Sequence, residues 1–134
     1  MKEKIAKIQE DIGVMKKDTK GYNYKYFDIN QLLEKLKPML TEQKLLLTQP
    51  LTNIDGKPAI TTRIEEIDGV GIIESTTMLP DIQDPQKLGS AITYMRRYSL
   101  VSLLSLESED DDGASATKKA VTKKDDNTDS TIPF

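Results

Sequence analysis

Neither cysteine nor histidine occurs among the 134 residues of this chain. Without cysteine there is no disulfide framework, no thiolate metal site and no thiol nucleophile. Without histidine the commonest general base and the commonest zinc ligand are both missing. No glycine-rich loop of the kind that cradles nucleotide phosphates is visible, so neither an ATPase nor a conventional hydrolase has its parts, and no cofactor is expected. A long apolar run is lacking as well. Met1–Lys17 alternates charges with Ile5, Ile8, Ile12 and Met15 and has no continuous apolar stretch, which predicts neither a signal peptide nor a membrane span and makes the cytosol the expected compartment.

Charge of one sign is also scarce where the apolar residues are. Residues 1–106 carry fifteen Lys and Arg against fourteen Asp and Glu, whereas residues 107–134 carry four Lys against eight Asp and Glu. The net charge of -3 therefore belongs to the C-terminal part. The composition predicts a near-neutral domain over residues 1–106 and an acidic, disordered tail over 107–134. Bulk electrostatic attraction for nucleic acid is excluded, so any such binding has to come from a local patch or from many copies of one. Glu107, Glu109, Asp110, Asp111 and Asp112 lie in a row without the spacing of a Ca²⁺ loop, and read as a solvated run or a strip facing a neighbouring subunit rather than as a metal site.

What is present is patterned. Ile5, Ile8, Ile12 and Met15 make the stripe of a first helix, ended by Asp18–Gly21. Tyr22–Phe27 reads as an aromatic and basic connector. Asp28 is placed to cap a second helix carrying Leu32, Leu33, Leu36, Met39 and Leu40, with Pro38 expected to kink it or split off its last turn. Three strands follow, Leu45–Leu51, Ala59–Ile67 and Val70–Leu79, with Asp55-Gly56 and Asp68-Gly69 as hairpin turns. Asp84-Pro85 starts a long helix, with Leu88, Ala91, Ile92 and Met95 on one face, Ser90, Thr93 and Arg97 opposite, and Tyr94 and Tyr98 flanking. Its end, Leu100–Leu106, is apolar nearly all round and calls for a further partner, which another subunit would supply. The fold class is α+β: two helices, a three-stranded antiparallel meander and a long helix.

Apart from Phe134, every aromatic residue falls within Tyr22–Phe27 or Tyr94–Tyr98, and both segments contain cations. Single-stranded nucleic acid is held in this way, with cations along the phosphates and flat rings accepting base faces. The candidate DNA-binding residues are Tyr22, Lys25, Tyr26, Tyr94, Arg96, Arg97 and Tyr98. Arg96 and Arg97 point about 100° apart on a helix. Arg97, on the polar side, is the one expected to meet phosphate; for Arg96 a phosphate contact and a salt bridge to a neighbour's carboxylate both stay open. Rings of the Tyr22–Phe27 segment can equally be core. Gly89 and Ala91 are expected to serve tight packing, with Ser90 open.

The string Asp84–Leu104 followed by Glu109–Gly113, with Gly89-Ser-Ala-Ile-Thr-Tyr94 and Arg96-Arg-Tyr98 at its centre, resembles the signature block of the ERF (essential recombination function) family of phage recombination proteins. Lys25-Tyr-Phe-Asp28 leading into Leu32 and Leu33 is similar to the stretch ahead of that family's helix. The resemblance implies a β-β-β-α core like that of annealing recombinases. It also implies a protein that works in a bacterial host cell, assembles into homo-oligomeric rings or filaments and anneals complementary single strands of DNA without ATP. The alternative is a passive single-strand-binding protein that coats DNA.

The last residues have a resemblance of their own. Asp125, Asp126 and Asp129, then Ile132-Pro133-Phe134, are similar to the tip of bacterial single-strand-binding proteins, in which acidic residues precede Ile-Pro-Phe. That likeness implies partner binding by Asp129, Ile132, Pro133 and Phe134, with host replication or repair proteins as the partners.

Overall fold

Asp28 stops the chain from entering its second helix without a cap. Its carboxylate accepts a hydrogen bond from the Gln31 N–H at 2.8 Å, and the Gln31 side-chain oxygen accepts from the Asp28 N–H at 2.9 Å, a reciprocal capping box. Such local signals recur along the computed structural model, which describes residues 1–15, 19–21, 24–26 and 28–108, with side chains for 1–14 and 28–107. The elements in order are α1 (Lys2–Ile12), β1 (Val14–Met15), β2 (Thr19–Gly21), β3 (Tyr24–Tyr26), α2 (Ile29–Glu42), β4 (Leu45–Thr48), β5 (Leu51–Ile54), β6 (Lys57–Glu66), β7 (Ile72–Met78), α3 (Pro85–Leu104) and β8 (Glu107–Ser108). The class is α+β, three helices with an antiparallel sheet, and none of the described helices is long and apolar enough to cross a membrane.

The chain divides into two units, Met1–Val14 with Asp28–Glu107, and Met15–Phe27 with Ser108–Phe134. In the second unit β2 and β3 form an antiparallel hairpin pairing Thr19 with Tyr26, Lys20 with Lys25 and Gly21 with Tyr24. The expected connector is therefore partly a hairpin. α1 also ends earlier than its apolar stripe suggests, at Ile12 rather than near Asp18. Gly13 takes φ 63°, a left-handed backbone that stops the helix, and Met15 goes into a strand. Short strands of two or three residues carry no periodicity long enough to read.

In the larger unit the sheet is a meander with an interrupted edge. β4 and β5 both pair antiparallel with β6, from Leu45 opposite Glu66 to Thr48 opposite Arg63, and from Leu51 opposite Ile60 to Ile54 opposite Lys57. The register is continuous across both, so they are halves of one strand. The break falls at Gln49-Pro50, where proline has no N–H for the ladder, although the Pro50 carbonyl still accepts from the Thr61 N–H at 3.0 Å. The strand expected over Leu45–Leu51 thus runs on to Ile54. Asp55 (φ 52°) and Gly56 (φ 81°) supply the two positive φ values of a tight turn into β6, as an Asp-Gly pair should.

One sheet face carries Ile60, Thr62 and Ile64, all fully buried, together with Leu45. The other carries Leu46, Thr61, Arg63, Ile72, Glu74 and Met78, and is not covered by helix: Leu46, Ile72 and Met78 are about half exposed. The core is completed by Ile8 and Ile12 of α1, Ile29, Leu32, Leu36 and Leu40 of α2, and Leu100 and Leu104 of α3. α2 runs through Pro38 to Glu42 without splitting, and Pro38 lies on its exposed side. Leu100 and Leu104 find their burial inside this chain, while Val101, Leu103 and Leu106 of the same run stay half-buried.

The β6–β7 turn is held by Glu66. Its carboxylate accepts from the Gly71 N–H at 2.9 Å and pairs with Lys4 Nζ at 3.2 Å. A Cβ on Gly69 or Gly71 would come within 2.7 or 2.6 Å of its Oε1, so both glycines permit this close approach. The Gly71 N–H first, and Lys4 second, hold the Glu66 carboxyl below the usual carboxylate range. Because the folded value is the depressed one, the stabilisation is complete above the ordinary value of about 4.5 and is lost as pH falls through the folded value. Thermal melts from pH 6 downward should therefore show a smaller acid-induced drop in Tm for Glu66→Gln than for the parent protein.

Candidate nucleic-acid interface

α3 is launched by Asp84, whose carboxylate accepts from the Lys87 N–H at 3.1 Å, with Pro85 at the first helical position. The helix then has two characters. Ser99, Leu100 and Leu104 are buried, whereas Leu88, Ala91, Ile92 and Met95, expected as a core face, are only half-buried. The sheet engages the later turns; the earlier ones keep much of their surface in solvent.

On that exposed side three side chains gather. Tyr94 and Tyr98, one turn apart, have ring centroids 4.5 Å apart at an interplanar angle of 84°, and the Tyr94 hydroxyl donates to the Tyr98 hydroxyl at 2.9 Å. The Arg97 guanidinium carbon lies 5.4 Å from the Tyr94 centroid and 5.1 Å from that of Tyr98. The rings are 48% and 43% exposed, too much for core residues. A cation that is always charged thus sits beside two accessible ring systems, the pairing needed to meet a phosphate and a base together.

Arg96 points elsewhere. Its Nε donates to Gln49 Oε1 at 3.3 Å, and Gln49 Nε2 donates to the Arg96 carbonyl and to Thr62 Oγ1, each at 3.0 Å. The partner of the Arg96 Nε is an amide of its own sheet. Gln49 was not singled out from sequence. It shares parity with Leu45, Leu47 and Leu51, so a polar residue stood at a core-facing position, and that was the available signal. It satisfies the fully buried Thr62 and ties α3 to the interrupted strand.

Gly89 and Ser90 are both exposed, and among the described residues a Cβ on Gly89 would meet nothing within 4 Å. The packing of helix on sheet expected of Gly89 is thereby corrected: no described group requires the missing side chain. Gly89→Ala should raise stability by about 0.4–1 kcal/mol in urea unfolding, because alanine loses less chain entropy on entering a helix.

Lys25 and Tyr26 lie in β3, described as backbone; Tyr22 lies outside the described residues, as do Asp129, Ile132, Pro133 and Phe134. A groove of about 340 Å³ beside α1 is lined by Met1, Ile5, Ala6, Ile73 and Leu103 with Lys2 and Gln9, a surface suited to apolar contact rather than to chemistry.

No curated protein and no solved structure gives a significant match to the chain. The model of the ERF superfamily matches residues 1–133. That span takes in α1, the whole sheet and the Tyr94–Arg97–Tyr98 cluster, and on it this chain belongs to the ERF superfamily.

Proposed function

We propose that this protein binds single-stranded DNA and anneals complementary strands without ATP, in phage recombination. The observation that carries the reading is the Tyr94–Arg97–Tyr98 cluster, with both rings exposed, on the family's signature helix. Arg97 takes a phosphate, and a tyrosine ring takes the face of a base. Because the two rings stand nearly perpendicular, they do not lie in one stack of bases. One ring receives a base and the other holds it in place, so each subunit grips few nucleotides and firm binding requires several subunits along the strand. Contacts to backbone and base faces leave the Watson–Crick edges free for pairing. A near-neutral domain suits this task, since a strongly basic one would also hold duplex product. Lys25, Tyr26 and Tyr22 are proposed to add cations and rings to the same work.

The test is a fluorescence annealing assay with complementary oligonucleotides, with and without ATP and at two salt concentrations. Annealing faster than the spontaneous rate, equal with and without ATP, is expected. If the protein binds but slows pairing, it only coats DNA, and the annealing reading fails.

A further inference from the structure

Arg96 and Arg97 are neighbours in sequence and differ in surroundings. Arg97 stands beside two rings, whereas Arg96, half-buried, is held by one uncharged side chain, Gln49. Gln49 grips it twice: Oε1 accepts from Arg96 Nε at 3.3 Å, and Nε2 donates to the Arg96 main-chain carbonyl at 3.0 Å. Nε2 also donates to Oγ1 of the fully buried Thr62 at 3.0 Å, which anchors the amide on the sheet. Backbone and side chain of one arginine are thus tied to one amide, and the plane of the guanidinium is set. Among the described residues no acceptor meets Nη1 or Nη2, and no carboxylate pairs with Arg96. α3 as a whole carries Lys87, Arg96 and Arg97 and not one Asp or Glu. A guanidinium drawn half out of water without a counter-charge is unfavourable unless something supplies the missing anion. A glutamate at position 49 would have neutralised it; an amide holds the group and leaves its charge and four N–H donors for an anion.

We propose that Arg96 is a second phosphate clamp of the DNA-binding face and that Gln49 is its positioning residue, aiming the guanidinium without neutralising it. This rests on the DNA-binding reading above and deepens it. Arg96 and Arg97 diverge by about 100° on the helix, so they take two different phosphates of one strand rather than the same one. The phosphate at Arg97 lies beside the rings; the one at Arg96 lies on the side of α3 that faces Gln49. Thr93, one turn earlier, falls between the two arginines in angle, and its exposed, uncharged side chain leaves room for a strand to pass.

Affinity of the full chain for a fluorescently labelled oligothymidylate, measured by anisotropy over a range of salt concentrations, tests the pair. Arg96→Ala should weaken binding about tenfold and lower the slope of log affinity against log salt by about one, as for one lost phosphate contact. Gln49→Glu should lower the slope by as much although it removes no cation, because a carboxylate on Arg96 Nε neutralises the group internally. Gln49→Ala should weaken binding about threefold in the parent chain and not at all in Arg96→Ala, since it acts only through that side chain. A merely structural role for Gln49 would move urea unfolding alike in both backgrounds and leave the slope untouched. An unchanged slope in Gln49→Glu, or an equal loss from Gln49→Ala in both backgrounds, overturns the positioning role; an unchanged slope in Arg96→Ala overturns the clamp. Should either Gln49 variant fail to fold by circular dichroism, the other and Arg96→Ala decide. Arg97→Ala, run in parallel, separates the two readings: a slope lowered there and unchanged in Arg96→Ala leaves DNA binding standing and removes this proposal alone. A parent chain with no salt-sensitive affinity for the strand overturns both.

Discussion

Tyr94→Ala and Tyr98→Ala are each expected to weaken binding to single-stranded oligonucleotides by about tenfold, the range of roughly 1–3 kcal/mol associated with one base stacked on an aromatic ring. The double substitution should weaken it by less than the product of the two. The rings touch at 4.5 Å and share Arg97, so removing one already disturbs the other. Neither single change should cost more than about 1 kcal/mol of stability, since both side chains are nearly half exposed and leave no cavity. Arg97→Ala has a different signature. Binding should fall about equally for all sequences, and the slope of log affinity against log salt should shrink by about one, as for one lost phosphate contact. Titrations by fluorescence anisotropy at four salt concentrations separate the two patterns. Loss of the folded state on removing Tyr94 or Tyr98 would make the rings structural and withdraw the proposed base platform.

Leu100→Ala should have the largest effect on stability, a loss of about 2–5 kcal/mol in urea unfolding. Leu100 has no exposed surface and lies on the part of α3 that packs against the sheet, where the cavity left by truncation finds nothing mobile to fill it. Stability of a domain this size is about 5–15 kcal/mol, so the variant stands near the limit of folding. Two turns earlier on the same helix, Thr93 is exposed and Thr93→Ala should be nearly neutral. Similar losses at both positions would mean that α3 is buried along its whole length, and the interface assigned to its earlier turns would have to be given up.

Both predictions rest on a helix whose two characters were only partly legible in the residues. The Asp84-Pro85 start, the Asp28 cap and the Asp55-Gly56 turn were readable because each is settled by bonds within four residues of chain. The half-buried position of Arg97 between two exposed rings was only partly legible in its angle on a helical wheel. The apolar stripe Leu88–Met95 was misjudged for the same reason that made it visible: periodicity gives the direction of a face, not whether a sheet extends far enough to cover it. The hairpin Thr19–Tyr26 carried too few residues for any pattern, and Gly13 ended α1 by its backbone angle while the stripe continued to Met15.

By itself the sequence determined the class of the fold, the caps and turns, the missing catalytic groups and the clustering of rings with cations, since these depend on residue type and short-range geometry. Tertiary structure alone decided that Arg96 turns to Gln49 and that Gly89 faces open space among the described residues. The Arg96–Gln49 contact joins the interrupted strand of the sheet to the last helix, residues far apart in the chain that meet when the core closes, and no local pattern carries that information.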